Sequence, residues 1–328
     1  MRRALIFLVT LVVCVSEKSG AQEMLPVYSD YLTENLYLLH PSMAGASESN
    51  RIRLTARQQW FDLKDAPGLQ TLSIHGRIKD KIGIGGIMFN DHNGNYATRG
   101  AFATFAYHLM FSRSEVELNQ LSFGISGGFL QHQLNAEVFQ AYDPILNGTG
   151  PDASFGSLDL GLSYYYHEFF AHITAKGLLS IAGRSMAAES YLPNYRQYFF
   201  SAGYVITREQ SPWGYEPSFL INLRESTGEL AVDFNAKAYH RNGFFGGISY
   251  RRSLESALNQ GNGDRKLGGS QYLIPFVGFD LGKLLFAYTY SYQTNRIILS
   301  NGGFHQITLG YDFGKNRRRY DCTCPAVR

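Results

Sequence analysis

Cysteine is nearly absent from this chain: three residues in 328, and one of them, Cys14, lies in the first apolar stretch. The remaining pair, Cys322 and Cys324, is spaced C-x-C near the C-terminus, which is neither a disulfide framework nor a zinc-site spacing. It leaves open a strained local disulfide, two exposed thiols or a contact to a partner. Charge is also scarce, at 17% of residues, and the net charge of +3 is too small to imply a nucleic-acid partner. The strings H-E-x-x-H and a phosphate-cradling loop with its lysine are missing, and the nine histidines form no i, i+4 ligand pair on a helix. These absences argue against an enzyme, a metalloprotein or a cofactor carrier. Long apolar runs are missing too, because charged or strongly polar residues interrupt every one after the first.

That first run is informative. Arg2 and Arg3 precede an apolar stretch from Ala4 to Ser16, and Ser19-Gly20-Ala21 supplies small residues where a signal peptidase reads. About thirteen apolar residues fall short of the roughly 20 a spanning helix needs. Residues 1–21 are therefore expected to be an export signal, with the mature chain starting near Gln22.

What is plentiful is aromatic residues and glycine: 22 Tyr, 23 Phe and 34 Gly. This suits a chain that meets lipid through aromatic girdles and bends its strands at glycines. Period-two alternation recurs throughout. Leu158, Leu160, Leu162 and Tyr164 alternate with Asp159, Gly161 and Ser163, and Ile307, Leu309, Tyr311 and Phe313 alternate with Gln306, Thr308, Gly310 and Asp312. Strand candidates start near Arg51, Leu69, Ile82, Gly100, Leu121, Ser157, Phe169, Gln197, Glu216, Glu229, Gly243, Tyr272, Leu284 and Phe304. That makes about 14, an even number, as bacterial single-chain barrels require.

Connection lengths alternate as well in most pairs. Two inner connections, near Ser112 to Gln120 and Arg208 to Tyr215, are longer than ideal, and the outer turn at Ser226 to Gly228 is short. Tight inner turns are expected at Asp80-Lys81, His167-Glu168, Arg241-Asn242 and Gly282-Lys283. Longer outer connections are expected at Asp91 to Arg99, Asn135 to Gly156, Ile181 to Arg196, Ser253 to Gln271 and Thr294 to Gly303. The fold class is all-β: a transmembrane antiparallel β-barrel over residues 51–314 in the outer membrane, against outer-membrane lipid. A short irregular N-terminal segment over 22–50 plugs the lumen or lies on the periplasmic rim, and 315–328 form a basic periplasmic tail. Lumen-side positions gather Arg51, Arg53, Arg57, His75, Arg77 and Lys79 from the first hairpin, and Asp159, His172, Lys176, Asn222, Arg224, Asp233 and Lys237 from later strands. Two readings stand: an anion-selecting pore lining, or a packed polar interior in which cations pair with carboxylates.

At Tyr28 to Ser47 the sequence YSDYLTENLYLLHPSMAGAS resembles the opening of the PorP/SprF family of type IX secretion proteins, which reads like Q-Y-x-x-N-x-x-x-x-N-P-A-x-A-G. Tyr31, Asn35, Pro41, Ala44 and Gly45 match, while Asp30, His40 and Ser42 depart from the pattern. Arg57-Gln58-Gln59-Trp60 with Pro67 and Gln70-Thr71 resembles the family's R-x-Q-W…P-x-T segment. Gly83-Ile84-Gly85-Gly86, Asn90 to Gly94, Asp159-Leu160-Gly161 and Gly303 to Ile307 follow in the same order.

The resemblance implies a non-enzymatic component of the type IX secretion and gliding machinery. Its partners would be periplasmic ring subunits or the C-terminal domain of a large secreted adhesin, exported or anchored at the surface. Candidate partner-binding or lumen residues are Tyr31, Asn35, Pro41, Gly45, Arg57, Trp60, Arg77, Asp159 and Asp233. A passive channel for small solutes is the alternative, and an adhesin-like barrel binding through its outer loops is a third.

Overall fold

The computed structural model describes residues 33–59, 66–112, 117–134, 152–182, 196–208, 210–254, 271–294 and 303–314. The expected export signal, Tyr31, Trp60, most of the expected outer connections, the basic tail and both C-terminal cysteines lie outside the described residues.

Fifteen strands form one antiparallel sheet: β1 (Asn50–Gln59), β2 (Gly68–Lys79), β3 (Ile82–Asn93), β4 (Tyr96–Met110), β5 (Asn119–Leu134), β6 (Asp152–Tyr166), β7 (Phe169–Ala182), β8 (Gln197–Tyr204), β9 (Ile206–Thr207), β10 (Trp213–Arg224), β11 (Leu230–His240), β12 (Phe244–Leu254), β13 (Gln271–Asp280), β14 (Leu284–Gln293) and β15 (Phe304–Phe313). β8 and the two-residue β9 both pair with β10 along one edge, so they share one stave and the barrel has fourteen. Sequential neighbours pair all the way round, and β1 closes on β15 from Asn50↔Phe313 to Gln59↔Phe304. Closure is what hydrocarbon demands, since an unpaired backbone group there costs several kcal/mol.

The alternation read from sequence becomes inside and outside. Leu72, Ile74, Ile125, Leu160, Ile173, Phe234, Ile307 and Leu309 stand exposed on the outer face, while Ser73, His75, Ser126, Asp159, His172, Asp233, Gln306 and Thr308 are buried inside. Exposed large apolar side chains occur on every strand, which no water-facing surface could carry. Tyr107, Tyr166, Phe169, Tyr204, Trp213 and Tyr311 lie outward near the short-turn rim, where aromatic girdles meet the lipid interface.

Two expectations need correction. The polar stretch Asp91 to Arg99 is not a long outer connection: the β3–β4 ladder continues through Asp91↔Thr98 to Asn93↔Tyr96, and the chain turns on Gly94 (φ +60°) and Asn95. Lys79 does not face the lumen. A register shift between Arg77 and Lys79 breaks the alternation, leaving both Ile78 and Lys79 exposed at the rim.

Candidate functional site: a strap seated in the barrel lumen

Residues 33–46 do not join the sheet. Two 3₁₀ turns, Thr33–Leu38 and Pro41–Met43, make a compact strap. Pro41 opens the second turn, where its missing N–H is no loss. Asn35, at φ −145°, kinks the first. Tyr37 to Ala46 is buried without a break. The barrel interior covers it, for the strap's partners come from strands on several sides.

The bonds are mostly neutral. Asn35 Nδ2 donates to Ser73 Oγ on β2 at 3.0 Å, and Tyr37 OH donates to Thr104 Oγ1 on β4 at 2.7 Å. His40 places Nδ1 2.8 Å from Thr174 Oγ1 on β7 and Nε2 3.1 Å from Ser201 Oγ on β8. Ser42 Oγ lies 2.6 Å from Ser163 Oγ on β6, which in turn lies 2.7 Å from His172 Nδ1. Tyr165 OH donates to Met43 Sδ at 3.1 Å.

Backbone groups of the strap are satisfied by the wall as well. Gly45 N–H donates to His75 Nδ1 at 3.1 Å, and Arg77 Nε donates to Gly45 O at 2.8 Å. His108 Nε2 donates to Ala44 O at 3.0 Å, which leaves its Nδ1 to accept from Ser122 Oγ at 2.8 Å. Lys176 Nζ donates to Leu38 O at 2.6 Å. Such cross-bonds answer the question that a non-helical, non-strand segment inside a barrel always raises: where its N–H and C=O groups go.

Glycine makes the close approach possible. A Cβ on Gly83 would stand 2.0 Å from Ala44 O, one on Gly124 2.2 Å from Ser42 N, and one on Gly85 2.5 Å from Tyr37 OH. Gly45 itself sits at φ +69°, wedged against the Gly76 and Gly83 backbones. The wall glycines therefore form a track along which the strap lies. A cavity beside it, bordered by Tyr37, Ile87, Phe102 and Phe199, holds only about 30 Å³ of free space, room for one or two waters.

Burial gives two strap groups unusual protonation behaviour. The His40 imidazole is held well below 6.5, first by burial and then by the nearby His172 and Lys176. Burial also pushes the Tyr37 phenol upward, against the opposing hydrogen bond to Thr104.

The residues singled out from sequence fall into three groups. Asn35, Pro41, Gly45 and Arg77 meet at the strap seat, with Asp159 close by, its Oδ1 accepting from Gly177 N–H at 2.9 Å. Arg57 on β1 and Asp233 on β11 lie apart from that seat. Arg57 lies 3.8 Å above the Phe304 ring, and Asp233 takes a two-pronged bond from Arg251, with Nε donating to Oδ1 at 2.6 Å. Tyr31 and Trp60 are not among the described residues. The charged wall is largely self-paired: Arg53 bonds Asp312, Arg51 lies 3.4 Å from the same carboxylate, and Lys237 bonds Glu34 of the strap.

Three features escaped the sequence reading. His40 and Ser42, the departures from the family opening, are both anchoring residues. Glu34 ties the strap to the far wall. The sequence also spells G-x-S-x-G at Gly124-Ile125-Ser126-Gly127-Gly128, but this runs in mid-strand on β5, with Ser126 Oγ 2.8 Å from Thr104 Oγ1 and no strand-to-helix elbow. Among the described residues no group of three or more His, Cys, Asp or Glu could hold a metal.

Structural neighbours are outer-membrane barrels. The TodX monoaromatic hydrocarbon channel, as its deltaS2 mutant, superposes with a TM-score of 0.51 at 10% identity over 88% of this chain and 96% of that one. Omp33 of Acinetobacter baumannii gives 0.47 at 6% identity over 82% of this chain and 100% of that one. BamA of Haemophilus ducreyi lacking POTRA domains 1–3 gives 0.41 at 11% over 81% and 70%. At such identities the likeness concerns the fold alone. No curated protein matches the sequence. The family model described as type IX secretion system membrane protein PorP/SprF matches residues 21–311. With the ordered motifs, the closed barrel and that match together, the chain belongs to the PorP/SprF family of type IX secretion system membrane proteins.

Proposed function

We propose that this barrel is a non-enzymatic docking component of the type IX machinery, which holds a protein partner at the outer membrane instead of conducting solutes. The observation that carries the reading is the strap. Residues 35–45 are bonded to β2, β4, β6, β7 and β8 from inside the lumen, a costly arrangement for a chain whose task is free passage. The paired charges of the remaining wall support the same view, since Arg53, Lys237 and Arg251 are each engaged with a carboxylate.

Family membership supports partners among the secretion components. Of the two candidates, periplasmic ring subunits and the C-terminal domain of a large secreted adhesin, we favour the adhesin, for export and surface anchoring. Extraction in mild detergent followed by affinity purification tests this. Co-purification of one large secreted protein bears it out, recovery of ring subunits points to the other partner, and a solitary barrel at native expression counts against both. Planar-bilayer recording separates the passive-channel alternative, for which the intact chain should conduct steadily.

A further inference from the structure

One charged contact in the lumen has an unused second partner. Lys237 on β11 reaches across to Glu34 of the strap. Directly opposite Lys237 in the β10–β11 ladder stands Glu216, whose side chain also points inward. Glu216 is 1% exposed, and neither carboxylate oxygen has a hydrogen-bond partner among the described residues. The strap carboxylate is better placed: the Glu34 side chain keeps 18% exposure and borders a small cavity with Phe245, Phe276, Thr289 and Thr308.

These environments set the energetics of an exchange. With Lys237 bonded to Glu34, the fully buried Glu216 feels the lysine's charge across the ladder but makes no hydrogen bond among the described residues, which is the expensive arrangement for a buried acid. With Lys237 turned to Glu216, the buried carboxylate is satisfied and Glu34 is left where water can reach it. The lysine needs no backbone movement for the change, because residues directly opposite in an antiparallel ladder have Cβ atoms about 5 Å apart. Removing Glu34 from an ordinary buried ion pair would strand the lysine; here it does not.

We infer that Lys237 is a two-position latch, with Glu216 as its resting acceptor when the Glu34 end of the strap leaves the wall. Only the segment ahead of Tyr37 then swings, because Tyr37, His40 and Ser42 stay bonded to Thr104, Thr174, Ser201 and Ser163. The release opens the side of the lumen lined by β10 to β14 while the β2 to β8 side stays filled. The barrel thereby gains an inducible opening without unfolding its seat.

The test measures strap exposure directly. In a background of Cys14→Ser, Cys322→Ser and Cys324→Ser, a reporter Leu36→Cys on the strap is labelled with a charged, water-soluble maleimide in the detergent-solubilised full chain. Heat-modifiable gel mobility confirms that each variant is a folded barrel. Glu34→Gln should speed labelling by about tenfold, and Glu216→Gln should slow it by about fivefold relative to the parent. In the Glu34→Gln background, Glu216→Gln should have no further effect, because the two act through one lysine. Labelling that is unchanged or faster in Glu216→Gln overturns the latch. So does slowing that persists when Glu34 is gone. If Glu216→Gln does not fold, Glu216→Met is read in its place against the same outcomes.

Discussion

His40 of the strap stacks on His172 of β7, ring centroids 4.7 Å apart and planes 22° from parallel. Two cationic imidazoles could not share that space. His40 is further enclosed by Thr174 and Ser201, with Lys176 on the same strand as His172 and Asp159 on the neighbouring β6, so a proton arriving on it would find no free carboxylate. The seat is built for a neutral ring.

Acid should therefore loosen the strap. The His40 pKa in the seat lies well below 6.5, its ordinary value in a detached segment. Above 6.5 both forms are neutral and pH has no effect through this residue. As pH falls below 6.5 the detached segment gains a proton that the seated one does not, so the docked state loses stability, by up to about 1.4 kcal/mol per pH unit. Labelling of Leu36→Cys after brief incubation at pH 5 should exceed that at pH 7.5, with both reactions run at a common quench pH. His40→Asn should flatten the difference while raising exposure at both values.

The glycine track predicts a sharp contrast between neighbours on one strand. Gly124→Ala puts a methyl group 2.2 Å from Ser42 N and 2.3 Å from Pro41 C, both backbone atoms that cannot rotate away. Gly127→Ala, three residues on, meets nothing within 4 Å. The first should lower stability by about 1–3 kcal/mol, as overpacking does, and the second by under about 0.5. Urea titration followed by intrinsic fluorescence in lipid nanodiscs measures both. Equal effects would mean that the strap does not rest on β5.

How much of this could be read in advance follows from the range of each interaction. Strand starts at Ile82, Phe169, Gln197, Leu284 and Phe304 agree with the structure because facing lipid or lumen is a local, period-two property. The β3–β4 end failed because Asp91, His92 and Asn93 have loop chemistry, yet a barrel wall can extend past the membrane, where polar residues on both faces cost nothing. The strap seat was only half legible. Asn35, Pro41 and Gly45 stood out by resemblance, but Ser42–Ser163 and His40–Ser201 span 121 and 161 residues, and no spacing rule links them. Gly83 and Gly124 look like bends in sequence. In three dimensions they are clearance.

Asp233 on β11 and Arg251 on β12 form a buried pair, and its balance can be tested by halves. Asp233→Ala leaves a guanidinium without its carboxylate and should cost about 3–5 kcal/mol. Asp233→Leu with Arg251→Met removes both charges and should recover most of that loss, because two apolar side chains of similar volume leave nothing unpaired. Thermal denaturation monitored by heat-modifiable mobility would read the order: parent and double variant close together, single variant well below. A double variant as unstable as the single would mean that other lumen groups depend on this pair.

The last prediction concerns conduction and sets the strap against the wall. With residues 33–46 in place, the lumen on the β2 to β8 side is filled by side chains bonded to it, and the full chain should be nearly silent in a planar bilayer. Deleting 33–46 removes those bonds but no ladder pairing, since β1 begins at Asn50 and closes on β15 through its own register. The deleted chain should still insert, and it should conduct. Its selectivity should lean weakly to anions: the deletion uncovers Arg77 and takes the Leu38 carbonyl away from Lys176, whereas Lys237 turns to Glu216 and Arg53 and Arg251 keep their wall carboxylates. Reversal potentials under a salt gradient decide the sign. A cation-selective deleted barrel would require the lumen carboxylates to outweigh Arg77 and Lys176, and would place the lumen's exposed charge on those carboxylates.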